Sequence, residues 1–472
     1  MPHSRLRDET AELAEGFERI RVELSVPDVF PEPVLAALAA LTPESASDRV
    51  DRRDLELVSM DPLGSRDLDQ AFHLERVGSG YRFSYAIADV SSWVVPGGPI
   101  DSEARRRGTT VYCPDRRVPL HPFELSEGAA SLLPGDDRPA LLWSVDLDQQ
   151  GERTGATLTR ALVRNRRALD YDGAQRHLDD GGTDPQLRLL EEIGALRLER
   201  EAARGGVSLN LPEQAVVKEG DGYTLRYETT LATESWNAQL SLCAGMAAAD
   251  LMIGAGFGIL RTLPPAGPGV LESLQTASRS LGVAWADDTS YPDWVRSLDP
   301  GLPTNLALLH AAARTLRGAS YASFDGTPPV QGRHAAIAAP YAHVTAPLRR
   351  LVDRFANECV LAACAGRRPP GWVIDALADL PTTMASTGRR ASGVDHACVD
   401  LVEAAILESR VGDTFEATVT EVRRDGTAVV QLVDPAVVGL LAPGPSLAGD
   451  GVRVRVDAAD PSCRSTTFSL VS

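Results

Sequence analysis

Three carboxylates, Asp61, Asp67 and Asp69, fall close together in the stretch Asp61-Pro-Leu-Gly-Ser-Arg-Asp67-Leu-Asp69-Gln70. Pro62 and Gly64 break any helix there and force an irregular backbone. Asp67 and Asp69 stand two apart, so an extended segment projects both from one face, and a turn at Pro62-Leu-Gly brings Asp61 back towards them. Converging carboxylates repel one another in a water-poor site unless a cation neutralises them. Mg²⁺ suits such a set, being a hard ion that takes carboxylate and water oxygens and leaves positions for a phosphate. One or two such ions can activate a water and stabilise the leaving oxygen of a phosphodiester. The spacing excludes an EF-hand loop, because no glycine follows the second acidic residue where that loop needs one. An Asp-rich stretch alone is more often a solvated turn than a metal site, so the assignment depends on its surroundings.

The elements that must position these residues fall into three sections. Residues 8 to 24 place Leu13, Phe17, Ile20 and Leu24 at helical spacing, and Pro33 to Leu41 reads as a second short helix. A small helical N-terminal domain over residues 1–50, helix-turn-helix-like in arrangement, is expected. From Asp54 to Asp148, runs such as Tyr81-Arg-Phe-Ser-Tyr-Ala-Ile-Ala read as strands between turn clusters. Ala/Leu-rich helical stretches follow at Asp184–Arg204, Thr233–Gly254, Leu302–Leu316 and Leu348–Ala365. Strands first and helices later predict an α+β body over residues 51–408. Residues 409–472 change to short β-branched strands separated by Gly, Asp and Pro, the pattern of a five-stranded OB barrel, a fold that commonly binds single-stranded nucleic acid.

With 472 residues, 43% hydrophobic and 24% charged, the chain can bury a large core. No uninterrupted apolar run is long enough to span a membrane and the N-terminus has no apolar signal core, so a cytoplasmic protein without a membrane partner is expected. The six cysteines show no Cys-x-x-Cys pair and read as reduced core residues rather than zinc ligands. His334 and His343 have no cysteine or acidic partner at ligand spacing, which argues against zinc there. The net charge of −18 opposes phosphate binding overall, yet arginines cluster at 105–107, 116–117, 164–167, 349–354 and 389–390, so locally basic surfaces are expected.

The acidic stretch is followed by Ala88-Asp-Val-Ser, Ala104-Arg-Arg-Arg-Gly-Thr-Thr-Val-Tyr-Cys-Pro-Asp, Val118-Pro-Leu-His-Pro-Phe-Glu-Leu-Ser and, much later, Tyr341-Ala-His-Val-Thr-Ala-Pro-Leu-Arg-Arg. In order and spacing these blocks resemble the catalytic domain of the ribonuclease II family, over roughly residues 50 to 400. The last section resembles the RNA-binding OB domain that ends those chains. The resemblance implies a Mg²⁺-dependent 3′-to-5′ exoribonuclease that acts on single-stranded RNA as a monomer and releases nucleoside 5′-monophosphates. It places Asp61, Asp67 and Asp69 at the metal and makes Asp69 the indispensable one. Arg349 falls at the position that meets a phosphate oxygen as charge develops. Tyr112 falls where a base near the 3′ end is stacked, Tyr171 beside the terminal nucleotide, and Glu234 where an acid helps to hold that nucleotide. A carboxylate accepting from a ribose 2′-OH is one way to prefer RNA.

Three departures stand out. Gln70 occupies the place of a fourth aspartate, and an amide is a weaker, neutral ligand. This motivates an alternative reading as a catalytically weakened RNA-binding relative. No aromatic residue lies between Arg204 and Tyr223, where a second stacking partner is expected. About 50 residues precede the catalytic section, too few for two cold-shock domains.

Overall fold

The computed structural model describes residues 3–43, 49–209, 211–220, 222–444 and 447–471, with side chains in the first helix from Glu12 onward. Two helices lead, α1 (His3–Glu23) and α2 (Glu32–Ala39). The helical domain expected over residues 1–50, with its helix-turn-helix-like arrangement, falls on these two helices, which pack into different cores. Leu13, Phe17 and Ile20 of α1 join one core with the C-terminal barrel, whereas Val34 and Leu38 of α2 join a different core under the large sheet. Each helix offers a single apolar stripe, which a larger surface covers better than its short neighbour. Residues 1–2 and 44–48 of that expected unit lie outside the described residues.

The central sheet contains β1 (Val50–Asp51), β2 (Leu57–Asp61), β3 (Gln70–Val77) and β4 (Gly80–Ala88). After helix α3 (Pro99–Arg107) and a small hairpin, β5 (Val111–Tyr112) and β6 (Arg117–Val118), come β7 (Asp137–Leu147) and the long β8 (Arg153–Asp170). The order is β1-β8-β2-β3-β4-β7, and β7 pairs with β8 again, so the sheet closes through β8. The first part of β8 runs antiparallel to β7, and its last residues run parallel to β2. Period-2 alternation separates the faces of β4: Phe83, Tyr85 and Ile87 enter one core, Ala86 and Ala88 the other.

Helices α4 (Tyr171–Asp179) and α5 (Pro185–Arg204) precede a hairpin of β9 (Glu213–Glu219) and β10 (Gly222–Glu228). Next is α6 (Ala232–Ala255), long and apolar enough to cross a membrane by length and composition, but packed here in the main core. Gly245 permits that packing: a Cβ there would lie 2.2 Å from the Tyr341 ring and 2.6 Å from the Ala342 carbonyl. Strands β11 (Phe257–Thr262) and β12 (Ser320–Asp325) enclose α7 (Pro268–Ser280), α8 (Tyr291–Arg296) and α9 (Pro303–Ala312). A short pair, β13 (Arg333–His334) and β14 (Ala339–Pro340), leads to α10 (Leu351–Cys364), α11 (Gly371–Leu377) and α12 (Leu380–Glu408).

The chain ends in a closed barrel, as the strand pattern predicted, formed by β15 (Thr414–Val422), β16 (Ala428–Leu432), β17 (Val438–Leu441), β18 (Gly451–Asp460) and β19 (Ser465–Leu470). Its aromatic residues, Phe415 and Phe468, are buried, so the barrel presents no ring for base stacking among its described residues.

Two composition-based expectations change. Most of the clustered arginines face acids: Arg105 meets Asp101, Arg106 and Arg107 meet Glu103, Arg116 meets Glu18, Arg164 meets Asp137 and Arg354 meets Asp101. These guanidiniums are neutralised locally, which removes most of the expected basic surface. Cys364 and Cys463 are exposed rather than core residues, at a helix end and in a barrel turn.

Candidate active site

The parallel pairing of β2 with β8 places Asp61 opposite Asp170. The Asp170 carboxylate accepts from the Gly173 amide at 2.7 Å and caps α4, whose first residue is Tyr171. Asp61 and Tyr171 thereby meet across 110 positions. The Tyr171 hydroxyl is fixed by the Asn237 side-chain amide of α6, which donates at 3.0 Å. Burial pushes the Asp61 carboxyl up to about 7; Arg349 opposes this and Asp67 adds to it.

The loop before β3 is held by its backbone. Leu68 donates to the Ser131 hydroxyl at 3.0 Å, and that hydroxyl donates to the Arg66 carbonyl at 2.6 Å. Asp69, 2% exposed, accepts from the Leu348 amide at 2.7 Å, and Arg349 Nε stands 3.2 Å from its Oδ2. Burial pushes its carboxyl up to about 8, against the pull of Arg349 and the Leu348 amide. Arg349 is positioned through its own carbonyl, which accepts from the Thr110 amide at 3.0 Å and the Thr109 hydroxyl at 2.9 Å. That bond also sets β5, which carries Tyr112 half-exposed beside Asp67, Asp69 and Arg349.

Asp61, Asp69, Arg349, Tyr112 and Tyr171 thus share one site, but the expected cluster of three metal-binding carboxylates is not assembled. Among the described residues no three His, Cys, Asp or Glu side chains are gathered closely enough to hold a metal. The reason is a competing cation: Asp67 accepts from Arg117 Nη1 at 2.7 Å. A hard divalent ion nevertheless fits the donor set. The Oδ2 atoms of both Asp61 and Asp69 are buried without a hydrogen-bond partner, a costly state that the Arg349 ion pair offsets in part for Asp69 and that a metal cation would relieve for both.

Two other expected residues are engaged differently. Glu234 Oε2 accepts from the Leu231 amide at 2.6 Å and caps α6, which leaves one carboxylate oxygen for another partner. Gln70 Oε1 accepts from the Tyr85 hydroxyl and, at 3.0 Å, from the Ser241 hydroxyl, so that oxygen is already occupied. His343 Nδ1 bonds the Tyr321 hydroxyl at 2.7 Å, and burial holds both His343 and His334 below the ordinary imidazole range. Sequence reasoning missed Arg117, Glu127 and Asn237. Arg117 was within reach, because the Pro114-Asp115 turn signals a hairpin that pairs Tyr112 with Arg117.

Residues 49–365 match the RNB domain model, and residues 413–471 match the model of the RNase II-type exonuclease C-terminal S1 domain. Ribonuclease R of Escherichia coli (strain K12) is 27% identical over 501 residues, covering 95% of this chain and 61% of that protein. The chain therefore spans about 61% of the length of that relative. A solved structure of Mycoplasma genitalium RNase R in complex with ribose methylated single-stranded RNA has a TM-score of 0.87 at 19% identity, covering 96% of this chain and 77% of that one. Yeast Ssd1, described as a pseudonuclease, has a TM-score of 0.68 at 16% identity, covering 88% and 53%. With the RNB domain filling more than half of its length and the S1 domain behind it, this chain belongs to the ribonuclease II (RNB-domain) family.

Proposed function

We propose that this protein hydrolyses single-stranded RNA from its 3′ end, releasing nucleoside 5′-monophosphates, with Mg²⁺ as its cofactor. The observation that carries this reading is the pair of buried Oδ2 atoms on Asp61 and Asp69 that accept no hydrogen bond, the second of them facing Arg349 Nε at 3.2 Å, with Tyr112 and Tyr171 beside them. Asp61 and Asp69 would hold the ion, joined by Asp67 once it leaves Arg117; Gln70 would not, its oxygen being engaged by two hydroxyls. A bound ion supplies a more acidic water and stabilises the leaving oxygen.

The chain's own groups do the rest. Arg349 offers a guanidinium to a non-bridging phosphate oxygen, where negative charge grows in the transition state. Tyr112 offers an exposed ring for sequence-tolerant stacking, worth about 1–3 kcal/mol per base. Tyr171, held by Asn237, bounds the terminal nucleotide, and the free oxygen of Glu234 can accept a ribose 2′-OH. The protein acts in this reading as a cytoplasmic monomer. RNA as substrate is supported by the structural neighbour that holds single-stranded RNA.

The test is incubation with a 5′-labelled oligoribonucleotide and Mg²⁺, beside a DNA strand of matched sequence. Stepwise shortening of the RNA, lost in Asp69→Asn, is expected. A second reading, RNA binding without turnover, is motivated by Gln70, where an amide stands in place of a carboxylate. An RNA bound but left intact by the wild type would decide for it.

A further inference from the structure

Tyr112 and Arg117 face each other across the β5–β6 pair. Facing residues of an antiparallel pair stand on the same side of the ribbon, with Cβ atoms about 5 Å apart. Tyr112 is 48% exposed as a residue and the Arg117 side chain 31%. An aromatic face and a forked cation thus stand side by side at the rim of the acidic centre.

Both Nη atoms of Arg117 are engaged, Nη1 with Asp67 at 2.7 Å and Nη2 with Glu127 at 2.6 Å. Glu127 belongs to the single wide turn Leu125–Ala129, and its other oxygen lies 3.9 Å from Arg66 Nε. Glu127 takes the opposite Nη from Asp67 and forms no metal-holding group with the aspartates among the described residues. What it does is fix the plane of the guanidinium independently of Asp67.

We propose that Arg117 is a substrate-binding residue that holds the phosphodiester adjoining the base stacked on Tyr112, with Glu127 orienting it. The proposal rests on the exoribonuclease reading above. The backbone of a strand whose base lies on Tyr112 must pass the facing strand position, which Arg117 occupies. A guanidinium fork matches phosphate oxygens better than any other side chain. Nη1 is the exchangeable half: when Asp67 turns to a cation, Nη1 is released towards the RNA while Nη2 stays on Glu127.

The experiment measures equilibrium binding of a labelled, ribose-methylated oligonucleotide in Mg²⁺ over a range of KCl, together with KM and kcat on unmodified RNA. Arg117→Gln is expected to weaken binding about tenfold. The slope of log affinity against log salt should become shallower by about 0.7, the value for one lost contact to a single strand. KM should rise while kcat changes little; Arg117→Lys should keep the salt slope, and Glu127→Gln should weaken binding by a smaller factor. Unchanged affinity and slope in Arg117→Gln, with kcat falling, would overturn the proposal and leave Arg117 acting only through Asp67. Wild-type protein that binds RNA without cleaving it would remove the exoribonuclease reading while the binding data still judge Arg117. Wild-type protein that binds no RNA would overturn both.

Discussion

Asp69 and Leu348, 279 positions apart, are joined by a 2.7 Å hydrogen bond from the Leu348 amide to the Asp69 carboxylate. The bond brings the next residue, Arg349, against the acidic loop, with its Nε 3.2 Å from the second Asp69 oxygen. One side chain therefore serves two purposes: Oδ1 fixes the backbone that delivers the arginine, and Oδ2, which accepts no hydrogen bond, faces the guanidinium in the site.

Asp69→Asn separates these purposes, because an amide oxygen can still accept from Leu348. RNA hydrolysis is expected to fall by at least about 10³-fold. Thermal stability should hold or rise, since a buried carboxylate of raised pKa becomes neutral. Wild-type turnover in the variant, or a melting point several degrees lower, would contradict this.

Mg²⁺ should stabilise the protein against heat, by about 2.7 kcal/mol at a hundredfold excess over its Kd. Replacing both Asp61 and Asp69 by Asn should abolish that gain. Gln70→Asp should lower the Mg²⁺ concentration required, by roughly tenfold, because a carboxylate adds negative charge and a second acceptor oxygen, so that one oxygen can take the Tyr85 and Ser241 hydroxyls while the other faces the ion. Melting curves over a Mg²⁺ titration read both effects; no shift in the wild type would count against a metal at these carboxylates.

Tyr112→Ala should raise KM by roughly 5- to 150-fold, the equivalent of about 1–3 kcal/mol of lost stacking. Tyr112→Phe keeps the ring and should stay near the wild type. Steady-state kinetics on a short oligoribonucleotide distinguishes the two; equal KM for Ala and wild type would exclude a stacking role.

Glu403 of α12 ties the barrel to the body, accepting from the Val438 amide at 2.7 Å and the Gln214 side chain at 2.6 Å. Burial raises its carboxyl from 4.5 to about 7. The folded protein thus binds this proton more tightly than the unfolded chain does. Its contribution is complete below the unfolded value and is lost as pH rises through about 7, on the order of 3 kcal/mol across that window. Glu403→Gln should flatten this part of the stability–pH profile, which denaturant melts between about pH 5 and pH 8 would show. A profile identical to the wild type would rule the group out.

Local elements were legible wherever their signals are local. The stretch Asp184–Arg204 was readable as a helix, and α5 spans Pro185–Arg204, with Asp184 capping it by accepting from the Gln186 and Leu187 amides. The barrel strands were readable from alternation, since one side of each is buried. The longest helix, α12, passed unread: Pro381, Gly388, Gly393 and a run of Ser and Thr weaken its local propensity. Packing against α1, the β9–β10 hairpin and the barrel stabilises it instead. Hairpin β9–β10, whose Tyr223 ring packs edge-on against Phe17, also passed unread.

The sequence by itself determined the chemical inventory: three aspartates around Pro62 and Gly64, an arginine and two tyrosines in recognisable blocks, and the change to barrel strands near the end. Only the tertiary structure decided how those groups are shared. It set Asp69 on Leu348 and Arg349, drew Asp67 to Arg117, and closed Gln70 off with two hydroxyls. The physical reason is that periodicity records which side of an element is buried, whereas a carboxylate's partner depends on the register between segments far apart in the chain. Here that register is fixed by β2 against β8 and by the amide of Leu348.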